Sequence, residues 1–403
     1  MSNTGNNKLK VGWVLFALAL GAFAIGTTEF ATMSLLPMLA QGLRIDAPTA
    51  GHVISAYALG VVIGAPLFAV LGARLARRTL LVSLMGMFAV GNGLSALAPT
   101  YHAMLFFRFI SGLPHGAYFG VAALVASTLV PESRRMVAVG RVFLGLTFAT
   151  IVGVPLADWL GQAVGWRWSL GLVGLLGLAA MAMVRLFAPL APATTDASPF
   201  RELRALLRLQ VWLTLGIGAV GFGGLFAVYT YLADILSAVT HVAVAQVPLV
   251  LSVLGIGLTI GNIVVPMFAG RALMRTTGAL LVWSAVSLAI FPLVATNVWA
   301  VAVDVFLIGI GGALATVLQT RLMDVAGDAQ ALAAALNHSA FNAANALGPF
   351  LGGLAIAGGY GWTSPGPVGG FLAVGGLLLW LISASAERRR NVRSPVVARD
   401  LTY

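Results

Sequence analysis

The chain contains no cysteine. Disulfide frameworks, thiolate nucleophiles and cysteine-based metal centres are therefore excluded. Charge is almost as scarce: Asp, Glu, Lys and Arg together supply 9% of the 403 residues. A soluble domain carries about 25%. The five histidines are scattered and form no metal-binding pair at helical spacing. No Walker sequence is present, so ATP does not drive this protein directly. No nucleophile–base or metal constellation is visible, so an enzyme is not expected, and neither is a cofactor or metal.

What is present is apolar: 60% of the residues are hydrophobic. Such a chain cannot cover a water-facing surface, and the bilayer must be its solvent. Twelve apolar segments are long enough to span it, at roughly 11–38, 48–71, 79–98, 101–130, 136–163, 166–188, 208–236, 245–270, 277–295, 298–323, 330–357 and 366–386. Gly and Pro recur inside them, as membrane helices tolerate. The run from Val11 is too long for a signal-peptide core and reads as a retained first span.

The net charge of +11 could point to nucleic acid. The basic residues, however, lie between apolar runs and form no basic face. They follow the positive-inside rule. Lys8 and Lys10, Arg74, Arg77 and Arg78, Arg134 and Arg135, Arg185 to Arg208, Arg271 and Arg275, Arg321 and the tail arginines share one side. The opposite loops hold only Arg44 and Arg167. Both termini are thus expected in the cytoplasm of a bacterial inner membrane protein, with the lipid bilayer rather than nucleic acid as partner.

The longest polar stretch, Pro189 to Arg204, divides the chain near its middle. The expected units are a six-helix bundle at 1–188, a linker at 189–207, a second bundle at 208–387 and a tail at 388–403. The halves read as repeats. Pro66-Leu67-Phe68-Ala69 recurs as Pro266-Met267-Phe268-Ala269, and Gly153-Val154-Pro155 as Gly348-Pro349, at offsets near 195–200 residues. Parallel repeats place a substrate site near the bilayer midplane, between the halves.

Ionisable groups inside spans are the informative ones, since a charge at the bilayer centre costs about 2.5–3.5 kcal/mol. Glu29 lies in Gly26-Thr27-Thr28-Glu29-Phe30, well inside span 1. Low dielectric disfavours a charged carboxylate, and an acid poised between two forms is what a proton-coupled carrier needs. A glutamate that only hydrogen-bonds a neighbouring helix is the alternative. Arg108 in span 4 needs a partner or a water-filled cavity, and Glu29 is the natural partner. A fixed salt bridge would explain it equally. His115, seven residues on, faces the same side. Asp304 in span 10 lies 196 residues after Arg108 and reads as a second proton site, an outer-gate partner or a carboxylate hydrated near the headgroups. Asp158 and Asp234, near span ends, read as hydrated. Arg141 reads as a snorkelling side chain.

His338, Asn342 and Asn345 form one polar stripe at i, i+4, i+7 on span 11. Asn342 suits a cavity lining and Asn345 a helix-to-helix bond. Met33, Tyr57, Tyr118, Phe222, Phe226 and Tyr229 complete the candidate cavity. Gly221, Gly223 and Gly224 allow span 7 to bend or pack closely.

These features are similar to the major facilitator superfamily over nearly the whole chain, and to its twelve-span drug:proton antiporters. Arg108-Phe-Ile-Ser-Gly112 resembles that family's Arg-x-x-x-Gly motif, associated with proton coupling. Gly348-Pro349-Phe-Leu-Gly352-Gly353 resembles the antiporter Gly-Pro-x-x-Gly-Gly element, which the family carries in span 5. The loop after span 2 departs from the family's Gly-x-x-x-Asp-Arg pattern: it reads Gly72-Ala-Arg-Leu-Ala76-Arg77, and the loop after span 8 reads Gly270-Arg-Ala-Leu-Met274-Arg275. The missing acid puts the usual inner-gate lock in doubt, leaving Arg74, Arg77, Arg271 and Arg275 as gate residues. Thr28-Glu29-Phe30 with Leu36-Pro37, Ala50-Gly51-His52 with Tyr57-Ala58-Leu59-Gly60, and Ser111 to Ala117 resemble the branch of arabinose-induced, sugar-efflux and chloramphenicol-export proteins.

The resemblance implies an all-α membrane protein of two pseudo-symmetric six-helix bundles, with spans 1, 4, 7 and 10 around a central cavity. It implies a monomer that exchanges protons for a small, mostly uncharged molecule by alternating access. A sugar or nucleoside exporter is the near alternative, and a non-transporting receptor a remote one.

Overall fold

A computed structural model describes residues 3–72, 75–131, 135–190, 207–269, 272–326 and 330–393. Among these residues every regular element is helical. Twelve helices are long and apolar enough to cross a membrane. They are span 1 (Val11–Ser34), span 2 (Ala47–Phe68), span 3 (Arg77–Ala96), span 4 (Tyr101–Thr128), span 5 (Ala138–Val164) and span 6 (Trp166–Phe187), followed by span 7 (Leu209–Ala238), span 8 (Val244–Phe268), span 9 (Leu273–Val294), span 10 (Val298–Ala326), span 11 (Leu336–Ala357) and span 12 (Pro365–Arg389). The twelve expected segments are all found, with ends shifted by a few residues.

Four spans are interrupted or distorted, two of them beside a proline. The first helix stops at Ser34 and restarts as Leu36–Leu43. Pro37 has no N–H to give the preceding turn and is well placed at a helix start, although Pro66, Pro114 and Pro266 sit inside continuous helices. Span 5 contains a π-turn at Ala149–Gly153 just before Pro155, which again lacks its donor. Span 7 breaks at Phe222, between helices Leu209–Gly221 and Gly223–Ala238. Span 10 tightens into a 3-10 turn at Gly311–Ala313. The chain turns from span 5 to span 6 at Gly165, whose φ of 105° excludes most side chains.

The two halves share one construction. A Cβ on Gly60 would meet the Phe109 carbonyl, and one on Gly112 the Tyr57 carbonyl, so spans 2 and 4 cross backbone against backbone. A Cβ on Gly257 would meet the Phe306 carbonyl, and one on Gly309 the Leu254 carbonyl, so spans 8 and 10 cross in the same way. A shift of 197 residues carries Gly60 to Gly257, Gly112 to Gly309 and Tyr57 to Leu254. Small residues at such crossings let helices pack closely without a hydrophobic driving force. The same shift places Pro266 at the position of Ala69, three residues past that of Pro66.

The halves meet chiefly through spans 2 and 11. The Ser55 hydroxyl donates to the Ala346 carbonyl at 2.9 Å, and the Ser339 hydroxyl reaches the Val62 carbonyl at 3.5 Å. At the end of the bundle away from the termini, the Gln162 amide of span 5 donates to the Val244 carbonyl at 3.2 Å. An apolar core joins Phe30, Met33 and Ile54 of the first half to Phe226, Tyr229 and Val250 of the second. The expected linker falls largely on residues 191–206, outside the described residues, as does the tail from 394.

Candidate functional site

Glu29 is buried near the middle of the assembly, where spans 1, 2, 4 and 11 converge. Its Oε1 accepts a hydrogen bond from Asn345 Nδ2 of span 11 at 3.2 Å. Its Oε2 lies 4.0 Å from His115 Nε2 of span 4. His115 Nδ1 in turn pairs with the Tyr57 hydroxyl of span 2 at 3.0 Å. The Tyr57 ring carries the Arg108 guanidinium on its face, 4.3 Å from the centroid. A continuous chain of polar groups thus runs from Arg108 through Tyr57 and His115 to Glu29, and across to Asn345 in the other half.

The expected Glu29–Arg108 ion pair is not formed. Among the described residues Arg108 has no carboxylate within 4.0 Å. Its Nη1 donates to Thr28 Oγ1 at 2.9 Å and to Asn92 Oδ1 at 3.2 Å. The Thr28 hydroxyl also donates to Asn92 Oδ1, at 2.6 Å. Thr28 and Glu29 are neighbours on span 1, and one residue turns the helix by about 100°. Thr28 therefore faces Arg108, and Glu29 faces His115 and Asn345. Arg108 is 1% exposed and its Nε has no partner. Thr28 and Asn92 were not singled out in the sequence. Asn92 carried a usable signal, a lone amide inside apolar span 3.

The span 11 stripe faces the first half. The His338 ring stacks on Phe119 of span 4 at 5.0 Å and 10°, lies 6.0 Å from Phe143 of span 5, and is 6.1 Å from the His115 ring. Phe119 and Phe143 had no distinguishing sequence signal. Asn342 donates from Nδ2 to the His338 carbonyl at 3.0 Å. The Oδ1 atoms of Asn342 and Asn345 are buried with no partner.

Several expected cavity residues serve packing instead. Tyr118 is buried in the first-half core, where its hydroxyl donates to the Leu18 carbonyl at 2.9 Å. Phe222 packs inside the second half, edge-on to Phe341 at 4.6 Å, beside a small void lined by Leu225, Leu288 and Ile308. Phe226 and Tyr229 do reach the other half, at 6.4 and 5.8 Å from the Phe30 ring. Met33 lies in the apolar core beside them.

Asp304 is buried, yet it stands apart from this network. By the 197-residue shift it takes the place of Phe107, and Arg108 corresponds to Val305. The near-equivalence read from the sequence is off by one residue, which on a helix points the side chain elsewhere. Asp304 Oδ2 has no partner. Asp158 is also buried rather than hydrated: at 1% exposure its Oδ2 accepts from Gln162 Nε2 at 2.8 Å. Asp234 is half-buried, with an unpartnered Oδ2. Arg141 is exposed, as expected. Of the gate arginines, Arg77 opens span 3 half-buried and Arg275 is exposed on span 9. Neither makes an ion pair among the described residues. Arg74 and Arg271 lie outside the described residues.

Comparison with known proteins fits this architecture. A family model described as Major Facilitator Superfamily matches residues 18–282. The inner membrane transport protein YdhP of Escherichia coli K12 is 41% identical over 386 residues, covering 94% of this chain and 98% of that one. The putative transporter AraJ of the same organism is 29% identical, covering 96% and 99%. A chloramphenicol resistance protein of Streptomyces lividans is 29% identical, covering 84% and 87%. Relatives so named fall in the branch that the motifs resembled. The crystal structure of a mutant of the nucleoside transporter NupG shares the fold with a TM-score of 0.72 at 13% identity, covering 92% of this chain and 99% of that one.

Proposed function

The chain belongs to the major facilitator superfamily, and on that footing we propose that it is a proton-coupled antiporter that exports small, mostly uncharged molecules, drugs among them. One observation carries this reading: a buried glutamate of span 1 is bonded across the boundary between the halves, to Asn345 of span 11. A protonatable group at that place feels every rocking motion of one half against the other, which is how alternating access proceeds. Arg108 acts on Glu29 through Tyr57 and His115 rather than by contact, and its distance sets how tightly Glu29 holds a proton. Arg108 stays charged despite its burial because a guanidinium holds its proton so strongly.

In this reading both termini are cytoplasmic, the halves are 1–188 and 208–387, and the working unit is a monomer in the inner membrane. Arg77 and Arg275 serve the cytoplasmic gate together with Arg74 and Arg271. The chloramphenicol relative supports a drug-like substrate. Export of a sugar or nucleoside is the second reading, favoured by the buried polar side chains of Asn337 and Asn342 on span 11.

The test uses inside-out vesicles with an imposed proton gradient and a pH-sensitive dye. Chloramphenicol, a lipophilic cation, arabinose and a nucleoside are added in turn. Antiport predicts that one of them collapses the gradient with the wild-type protein and not with Glu29→Gln. Undiminished, pH-independent transport in Glu29→Gln would remove Glu29 from the proton path.

A further inference from the structure

We propose that Asn345 is the element that couples proton to substrate, by turning its carboxamide when Glu29 changes protonation state. The inference rests on the antiport reading above and adds to it both a coupling residue and a substrate class.

Chemistry fixes the orientation of the amide. An ionised carboxylate offers only acceptors, so Asn345 must present Nδ2 to Glu29 Oε1, as it does at 3.2 Å. Asn345 Oδ1 is then left buried and unpartnered. One helical turn away, Asn342 is held by a second fixed acceptor, the His338 carbonyl, and likewise leaves its Oδ1 unpartnered. A backbone carbonyl cannot become a donor, so Asn342 keeps this orientation throughout. His338 and Asn345, at the ends of the stripe, both face the first half, so Asn342 between them faces it too. Two buried amide oxygens at this boundary, each leaving a hydrogen bond unmade, make an acceptor pair that a solute can fill.

When a proton binds Glu29 at Oε1, the new O–H needs an acceptor. Asn345 supplies one by rotating its carboxamide, so that Oδ1 accepts from Glu29 and Nδ2 turns toward the place its oxygen held. The pair beside Asn342 changes from two acceptors to one acceptor and one donor. A neutral solute that donates two hydrogen bonds, through hydroxyl or amide N–H groups, fits the ionised carrier and not the protonated one. Proton and solute then exclude each other without touching the same atom, which is antiport.

The charged and titratable groups around Glu29 are few. His115 faces it from span 4, Tyr57 of span 2 stands behind His115, and Arg108 lies on the Tyr57 ring. His338 lies behind His115 on span 11. On span 7 Tyr229 meets Phe30, and on span 5 Asp158 lies beside Ser34, further along span 1. Of the side chains bonded to Glu29, Asn345 is the one on the second half, so its rotation carries the signal across.

Infrared difference spectra of the purified full-length protein in detergent, acidic against neutral buffer, test this with the proton as the probe. The expected result is a carboxylic-acid C=O band that is lost in Glu29→Gln. A shift of one side-chain carboxamide band should accompany it and be lost in Asn345→Leu. Should Asn345→Leu fail to fold, Asn345→Ser removes the carboxamide while its hydroxyl still bonds Glu29; it should keep the acid band and lose the shift. A Glu29 band with no carboxamide change overturns the rotation and leaves the antiport reading standing. Absence of any Glu29-dependent band overturns both.

Discussion

The two halves are built on one plan and used for different purposes. Spans 2 and 4 cross at Gly60 and Gly112, and spans 8 and 10 cross at Gly257 and Gly309, with the same carbonyls pressed against the missing side chains. Around the first crossing stand Tyr57, Arg108 and His115. The 197-residue shift replaces them with Leu254, Val305 and Gly312. Leu254 and Val305 are buried in the apolar core, and Gly312 belongs to the tight turn that interrupts span 10. The backbone geometry is therefore a property of the scaffold, and the first half carries the polar chain upon it. Buried polar groups are costly in a membrane and persist where they do something.

Exchanging side chains at equivalent places should expose that difference most. Arg108→Lys keeps the charge but loses the planar fork that reaches Thr28 and Asn92 while lying on the Tyr57 ring. Charge-assisted hydrogen bonds are worth roughly 1.5–3 kcal/mol each, so proton-coupled transport in vesicles should fall by about a hundredfold or more. Val305→Ala, at the matching place, removes only packing. It should cost about 2 kcal/mol of stability and leave the transport rate per folded protein unchanged. Asp304→Asn extends the contrast: with no bond to the Glu29 network, it should leave the pH profile of transport where it is.

Much of this was legible in the sequence, for reasons that explain what was not. Hydropathy fixes spans because lipid requires every backbone group to be satisfied inside a helix. The breaks in spans 1 and 5, at Pro37 and just before Pro155, were not read from the sequence, because Pro66, Pro114 and Pro266 sit inside unbroken helices and proline alone marks no break. Glu29, His115 and Asn345 stood out as polar groups where polarity is expensive, and all three are in the network. Partnership was another matter. Glu29 and Arg108 invited pairing by charge, but contact depends on helix rotation, and a step of one residue gave Arg108 to Thr28 and Asn92. The same one-residue step separated Asp304 from the place of Arg108. Tyr118 and Phe222 carry side chains suited either to a cavity or to a core, and only packing decides which.

The shared crossing supplies the complementary expectation, equality. Gly112→Ala and Gly309→Ala each drive a methyl group into a carbonyl of the facing helix. Overpacking of this kind costs roughly 1–3 kcal/mol. The two substitutions should lower the thermal midpoint in detergent by similar amounts. A mild effect in one half alone would mean that its crossing relaxes freely and that the scaffold is less symmetric than its glycines.

The smallest effect lies outside the membrane, where span 2 begins. Asp46 accepts from the Thr49 amide at 2.8 Å and from the Thr49 side chain, the arrangement of a helix cap. These hydrogen bonds hold its carboxyl below the usual carboxylate range. Its contribution is therefore complete above the ordinary carboxylate value and is lost as pH falls through the lower, folded value. Asp46→Ala should cost about 1 kcal/mol at neutral pH and flatten the acid limb of the stability curve. Asp46→Asn retains the cap without the charge, so it should match the wild type at neutral pH and part from it only in acid. The second half begins span 8 with the turn Val244–Gln246 and no side-chain cap, so no matching acid-sensitive step is expected there.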